Sequence, residues 1–418
     1  MAINKEKQEF DNDARNYQHF HCKCFINNYE VVGKNILYLA IKKWILLDSF
    51  IPRLELKIAD DGTFSEVSIP HEGQEINIHI GRTPSDENPI TIDFTIVDTA
   101  IGFASPVNEI TISALLKIDN LFNIKSKSYK KSLSTDVLKD ITSNMSVKFN
   151  KNVTCKDKMT WLQLNINNFE MIKLVTNKSY ITNDDILLTY FDTDYSLNAK
   201  SLKNLLNKPP KWELRQDTEL ATIMSVEEQK RKCKEKGINY DERDIWCCQY
   251  DIVNYGGSIN TMYGGYGIEN HHIKLNNQSL SKNIIDSVDN LINTDDIDVK
   301  TPFNKQVKRK WGGVQNDKDS NIHNHYNVTN SVREHIINCF LAQTVEVELN
   351  SLSQVQLGET INCHFLSYIN PTENNLTISG IYLIVGITDF LTPSSVTMKR
   401  VILSRIGYNK SDLTKNPI

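Results

Sequence analysis

No apolar run in this 418-residue chain approaches the roughly 20 residues that a membrane-spanning helix requires. The longest candidate, Ile36 to Leu47, is interrupted by Lys42 and Lys43 and reads as core, so no membrane insertion is expected. The first ten residues are charged and carry no apolar h-region, so a secretory leader is not expected and folding in the cytoplasm is. Positive charge is not in excess either. A formal net charge of −4 provides no basic field to attract phosphates, which argues against a dedicated nucleic-acid binder. Paired cysteine motifs are missing: Cys22/Cys24 and Cys247/Cys248 are too close for ordinary disulfides or a C-x-x-C knuckle, and the rest are scattered. Reduced, partly buried thiols are the expectation.

Catalytic signatures are missing as well. There is no G-x-S-x-G elbow, no H-E-x-x-H and no Walker-type loop. Two H-x-H pairs are tempting as metal ligands, His19-Phe20-His21 beside Cys22 and Cys24, and His323-Asn324-His325. A closed site needs about four ligands, and neither pair has a properly spaced partner. His271-His272 would point to opposite faces of a strand. Asp60-Asp61, Asp184-Asp185, and Asp295-Asp296 with Asp298 fall in expected turns, where aspartate serves local hydrogen bonding. The glycine-rich stretch with Tyr255, Tyr263 and Tyr266 lacks the G-K-[ST] of a phosphate loop and reads as tight turns with aromatic packing. No catalytic, cofactor-binding or metal residue is assigned, and no cofactor is expected. That leaves a binding or structural role.

What is present is a repeated phrase. Gly73-Gln74-Glu75-Ile76-Asn77-Ile78-His79-Ile80 returns as Gly358-Glu359-Thr360-Ile361-Asn362-Cys363-His364-Phe365. In a strand, alternate residues face opposite sides, so 76, 78 and 80 would face a core while Asn77 and His79 face outward. The same holds for 361, 363 and 365. Each copy continues into a second expected strand, at Ile90-Thr91-Ile92 and at Leu376-Thr377-Ile378. One β module used twice, with other material inserted, is the reading.

The rest of the chain divides around it. Residues 1–35 read as a polar N-terminal arm, and 36–124 as a first barrel with a hairpin turn at Asp60-Asp61-Gly62. An inserted α+β region occupies 125–210, with helices expected after Ser134-Thr135-Asp136 and after Asn167-Asn168, and a strand at 186–191. Pro209-Pro210 closes it. Residues 211–340 open a second barrel with irregular insertions, including a charged helix at 226–236 that ends at Gly237 and a polar stretch at 276–330. Closing strands fill 341–408, where Val345, Val347 and Leu349 alternate with Glu346 and Glu348, and a polar tail follows at 409–418. The fold class is mainly β: two similar tube-like barrels with inserted smaller domains.

Four segments resemble the central baseplate hub proteins of contractile-tailed phages and related injection machines. They are Leu54 through Thr99; Leu133 through Asp140 with Thr160-Trp161-Leu162-Gln163 and Asn168 through Ile172; Leu187 to Asp192 with Leu202; and Val355 to Gly358, Leu376 to Ile384 and Val401 to Arg405. The charged helix and the 276–330 region have no counterpart in that pattern. The resemblance implies a structural virion protein, a homotrimer that adapts a sixfold tail tube to a threefold spike. Its partners would be the tail tube protein, the central spike protein, baseplate wedge proteins and the tape-measure protein. DNA would pass through its bore without specific binding, and Glu346 and Glu348 are candidates to line that bore by like-charge repulsion. Its place would be the virion tail baseplate, after synthesis in a host cytoplasm. The competing readings are an all-β carbohydrate-binding tail adhesin using Tyr255, Tyr263 and Tyr266, and a tail-associated cell-wall glycosidase, which needs only two carboxylates across a cleft.

Overall fold

A computed structural model describes residues 21–45, 50–60, 68–81, 89–102, 108–223, 225–255, 268–274, 279–285, 297–298, 308–314, 343–350, 353–367, 377–391, 398–405 and 408–409, with a few positions between these. Period-two alternation drives most of its strands. In Arg53–Asp60, Leu54, Leu56 and Ile58 are fully buried while Arg53, Glu55 and Lys57 face outward. Burial of each such side chain contributes about 1.5–3 kcal/mol before chain entropy is set against it.

Seven antiparallel strands build the first unit: β1 (His21–Ile26), β2 (Tyr29–Val31), β3 (Ile36–Trp44), β4 (Arg53–Asp60), β5 (Glu75–Gly81), β6 (Ile90–Gly102) and β7 (Asn108–Leu116). Their spatial order is β2-β1-β5-β6-β7-β4-β3. Residues 21–31, expected within a polar arm, are therefore part of the sheet. Cys22, Cys24 and Ile26 supply a buried face there, with exposed Lys23 between them. Of the expected hairpin turn at Asp60-Asp61-Gly62, Asp60 is the last residue of β4, Asp61 lies outside the described residues and Gly62 adopts φ +101°. The stretch joins no hairpin, because the neighbours of β4 are β3 and β7.

Between the barrels lie β8 (Ile124–Ser132), α1 (Ser134–Ser143), β9 (Lys148–Lys151), β10 (Met159–Asn167), α2 (Asn168–Lys178), β11 (Leu187–Asp192), β12 (Ser196–Ser201) and α3 (Leu202–Leu206). β10 pairs with β8, and β11-β12-β9 form a second small sheet. Residue Leu133 cannot cap α1 with its side chain. Asp157 does so from a distance, accepting from Ser134 N at 2.9 Å and from Tyr180 N at 2.9 Å. α2 is capped locally by Asn167, which accepts from Glu170 N at 2.8 Å. Trp161 is wholly buried and its indole donates to Ser132 O at 2.9 Å, so the aromatic costs no unpaired polar group.

The second unit contains β13 (Trp212–Gln216), α4 (Thr218–Thr222), α5 (Val226–Glu235), β14 (Asp244–Tyr255), β15 (Ile268–Lys274), β16 (Ser279–Ile285), β17 (Ile297–Asp298), β18 (Lys308–Val314), β19 (Gln343–Asn350), β20 (Thr360–His364), β21 (Gly380–Phe390), β22 (Met398–Arg405) and β23 (Tyr408–Asn409). Strands β21, β20, β13, β14, β19 and β22 pair in sequence, and β22 pairs back to β21. That ring is a closed barrel without a free edge. The polar 276–330 stretch is less irregular than its composition implies: β16 and β18 both pair with β15. The charged helix is α5, followed by Gly237 at φ +70°.

Candidate assembly surface

The repeated phrase folds twice into one hydrogen-bonding pattern. Gly73 and Gly358 take φ +86° and +76°, a left-handed conformation that suits glycine. Gln74 N donates to His71 O at 3.2 Å, and Glu359 N donates to Gln356 O at 3.3 Å. The side chain of the residue after each glycine accepts from the start of its turn: Gln74 from His71 N at 3.1 Å, Glu359 from Gln356 N at 3.1 Å. Across the hairpin, Gly73 N reaches Ile96 O and Gly358 N reaches Ile384 O, both at 2.9 Å. The return bonds match too, from Ile96 N to Gln74 O at 2.8 Å and from Ile384 N to Glu359 O at 2.9 Å.

The likeness extends through both barrels. β5, β6, β7, β4 and β3 are neighbours in that order, as are β20, β21, β22, β19 and β14. Ile76 faces Phe94 as Ile361 faces Tyr382. A register shift separates Ile96 from Asp98 on β6, and one separates Ile384 from Gly386 at the corresponding place on β21. Bulges re-aim a strand, so a shared bulge gives both barrels a shared bend. One expectation needs correcting. The second strand of the later copy begins at Gly380 and not at Leu376, because Asn375 ties Thr377, Ile378 and Ser379 into a turn. The copies also diverge at one edge: β1 runs antiparallel to β5, whereas β13 runs parallel to β20.

The two units are sewn together by β3 and β21, which pair antiparallel from Gly386↔Trp44 to Phe390↔Ala40. Gly386 sits at the bulge, and a Cβ there would meet the Trp44 ring at 2.9 Å. Beside them Asp389 lies 3.0 Å from Lys43 and 3.7 Å from Lys399. Burial alone would raise the Asp389 carboxyl, but the two ammonium groups hold it below its ordinary range. No motif in the sequence marks this suture. An isolated glycine within the apolar run Ile384-Val385-Gly386-Ile387 was the available signal, since glycine inside a strand marks a bulge or a close approach.

Outward-facing residues of the two copies differ in chemistry. Asn77 donates to Asp93 at 2.7 Å, and the His79 ring lies 4.7 Å from that of Phe25. In the later copy Asn362 donates to Glu213 at 2.9 Å, and His364 Nε2 meets the same carboxylate at 2.8 Å. Glu346 and Glu348 share one face of β19, and both turn toward Arg400 on β22, at 3.0 Å and 2.9 Å. Arg400 was not singled out from the sequence. It makes this a three-charge cluster with one net negative charge, where two bare carboxylates were expected.

Those of the remaining candidates that the structure describes make structural contacts, whereas His19 and Asp61 lie outside the described residues. Burial pushes the Cys22 thiol up to about 12 and raises Cys24 further, aided by Cys22, which disfavours the thiolate a metal needs. Among the described residues, no group of three or more His, Cys, Asp or Glu is placed to hold a metal. His323 is buried, with Nε2 2.9 Å from Lys178 O, and His325 stacks on Tyr180 at 3.9 Å, so this pair docks on the α+β region. Asp185 accepts from Ile186 N, Lys203 N and Ser201 Oγ, in keeping with turn and cap chemistry. Tyr263, Tyr266, Asp295 and Asp296 lie outside the described residues, as does the side chain of Tyr255. No helix among the described residues is long and apolar enough to cross a membrane.

No protein-family model matches the sequence, and no curated protein is similar to it. Solved structures are. A tail protein from Neisseria meningitidis MC58 aligns with a TM-score of 0.53 at 10% identity, over 92% of this chain and 96% of that one. The 43 kDa tail protein of prophage MuSo2 from Shewanella oneidensis aligns at 0.53 and 8%, over 93% and 97%. An Escherichia coli type VI secretion component, described as similar to T4 tail proteins, aligns more loosely, at 0.39 and 9%, over 90% and 76%. The first two establish that this chain shares the fold of these two tail proteins, one of them from a prophage, across nearly its whole length.

Proposed function

We propose that this chain is a structural tail protein, the homotrimeric hub of a baseplate in a virion tail. The observation that carries the proposal is the doubled barrel, with its matched turn, register and bulge. Three copies would offer six similar barrels, so a threefold object gains a pseudo-sixfold face. On this reading that face meets the first ring of tail tube protein, the central spike protein binds opposite, and wedge proteins bind outside. The bore passes the tape-measure protein and then DNA. Glu346 and Glu348 remain the proposed lining, with Arg400 halving their charge and one negative charge per chain left to repel a polyanion.

A neighbouring copy also answers a need of the first barrel. Among the described residues β2 ends the large sheet, and its Tyr29 and the adjoining Val32 are 68% and 55% exposed. A free sheet edge flanked by large apolar groups is an aggregation hazard unless a partner covers it. The chain is read as non-catalytic. Light scattering on purified protein is expected to give about three times the 47.9 kDa chain mass, alone or once tube protein is added. A strict monomer under both conditions overturns the trimer, and clearing of peptidoglycan in a zymogram overturns the non-catalytic reading.

A further inference from the structure

His323 is 4% exposed, and backbone groups engage both of its ring nitrogens. Nδ1 accepts from His325 N at 3.1 Å, so it carries no proton. Nε2 lies 2.9 Å from Lys178 O, a carbonyl that can only accept, so Nε2 donates. The two contacts together select the neutral ring with its proton on Nε2. A second proton would have to sit on Nδ1. It would turn that atom into a donor facing the His325 N–H, break the bond, and leave a charge in a buried place.

The surroundings do not invite that charge. Burial is the largest influence and holds His323 below the ordinary histidine value of 6.5. Lys178 and His325 repel an imidazolium, while the bond to Lys178 O and the Asp157 carboxylate work the other way. Asp157 is committed elsewhere, to Ser134 N and Tyr180 N, each at 2.9 Å. The Tyr180 ring lies 6.3 Å from that of His323 and 3.9 Å from that of His325, and its hydroxyl donates to Asn183 at 2.8 Å.

Among the described residues, His323 is the first after β18. Its contacts fasten the chain that leaves the β15-β16-β18 sheet to the end of α2. Further on, Arg333 Nη1 donates to Leu187 O at 2.7 Å and Phe340 is wholly buried. Neither changes charge between about pH 5 and 8, so they stay in place when the histidine titrates. We propose that His323 is an acid-released latch: neutral, it holds this part of the second unit on the α+β region, and protonation lets the stretch around His323–Thr329 go. An undocked histidine takes its proton near 6.5 and the docked one only at lower pH, so the docked state binds fewer protons. Docking is at full strength well above 6.5. Below it, docking weakens by up to about tenfold per pH unit until the docked value is reached. The inference does not depend on the hub reading.

The test uses the full chain. Hydrogen exchange read by mass spectrometry, corrected for the pH dependence of the chemical rate, follows the His325 and Thr329 amides with β4 as internal reference. From about pH 7.5 to about pH 5.5 their protection is expected to fall about tenfold, while that of β4 holds. His323→Gln offers one donor and one acceptor at similar spacing but cannot titrate, so its protection is expected to stay level over that range. His325→Gln is expected to keep the wild-type fall. Exchange at the imidazole C2 hydrogen of His323, which needs no substitution, is expected to give a midpoint below 6.5. Level protection in the wild type overturns the latch and leaves a purely structural histidine. A fall that survives in His323→Gln, one that vanishes in His325→Gln, or a C2 midpoint at or above 6.5 overturns it equally.

Discussion

Gly73 and Gly358 hold the same backbone conformation, yet a methyl group at each would meet different surroundings. Nothing lies within 4 Å of a Cβ built on Gly73. At Gly358 the Tyr190 hydroxyl lies 3.1 Å away, fixed on a ring that is itself buried. Gly73→Ala should therefore cost about 1 kcal/mol, the price of positive φ alone. Gly358→Ala adds the clash with Tyr190 and should cost about 2–3 kcal/mol. Urea midpoints of the two variants check this, and equal shifts would mean that the tyrosine moves aside freely. Both glycines could be picked out of the sequence because a turn glycine before an alternating run has a simple steric cause. Arg400 could not: nothing in Met398-Lys399-Arg400-Val401 indicates that its charge is spent on two glutamates across a strand boundary.

At the scale of elements, the suture of β3 to β21 depends on the absence of a side chain. Gly386→Ala forces the Trp44 ring outward and should destabilise the chain by about 1–3 kcal/mol. Hydrogen exchange at Lys42, Lys43 and Trp44 should rise with it, and unchanged exchange there would show that the ring is not pinned. The same junction should be sensitive to acid. The folded-state pKa of Asp389 lies below its ordinary value of 3.8, so its contribution is present above that value and lost as pH falls through the folded one. Wild-type stability should thus drop more steeply below about pH 4 than that of Asp389→Asn, as thermal melts across pH would record. Strands with clean alternation were legible element by element, β4 and β19 above all. β1 was hidden because cysteines supply two of its buried positions within a polar sequence. The start of β21 was misplaced because an Asx turn at Asn375 outcompetes strand pairing in Thr377-Ile378.

Taken as a whole molecule, the two barrels close differently. The second completes its own ring, while the first continues its sheet through β3 into β21. β21 accordingly pairs with β20, β22 and β3, and belongs to both units. Unfolding followed by hydrogen exchange and mass spectrometry should show β3 and β21 losing protection together, in one cooperative step. Separate steps would mean that the junction is only a loose contact. The doubling itself was readable from two eight-residue stretches with four identical positions, but which barrel closes was not, since pairing partners across hundreds of residues leave no local mark. The shared strand also imposes an order on biosynthesis. On the ribosome, Trp44 emerges long before Gly386, so β3 has no β21 to pair with until that later strand has been made. A chaperone that shields this waiting edge, or slow codons that delay its collapse, would act on one spot: the half-finished seam.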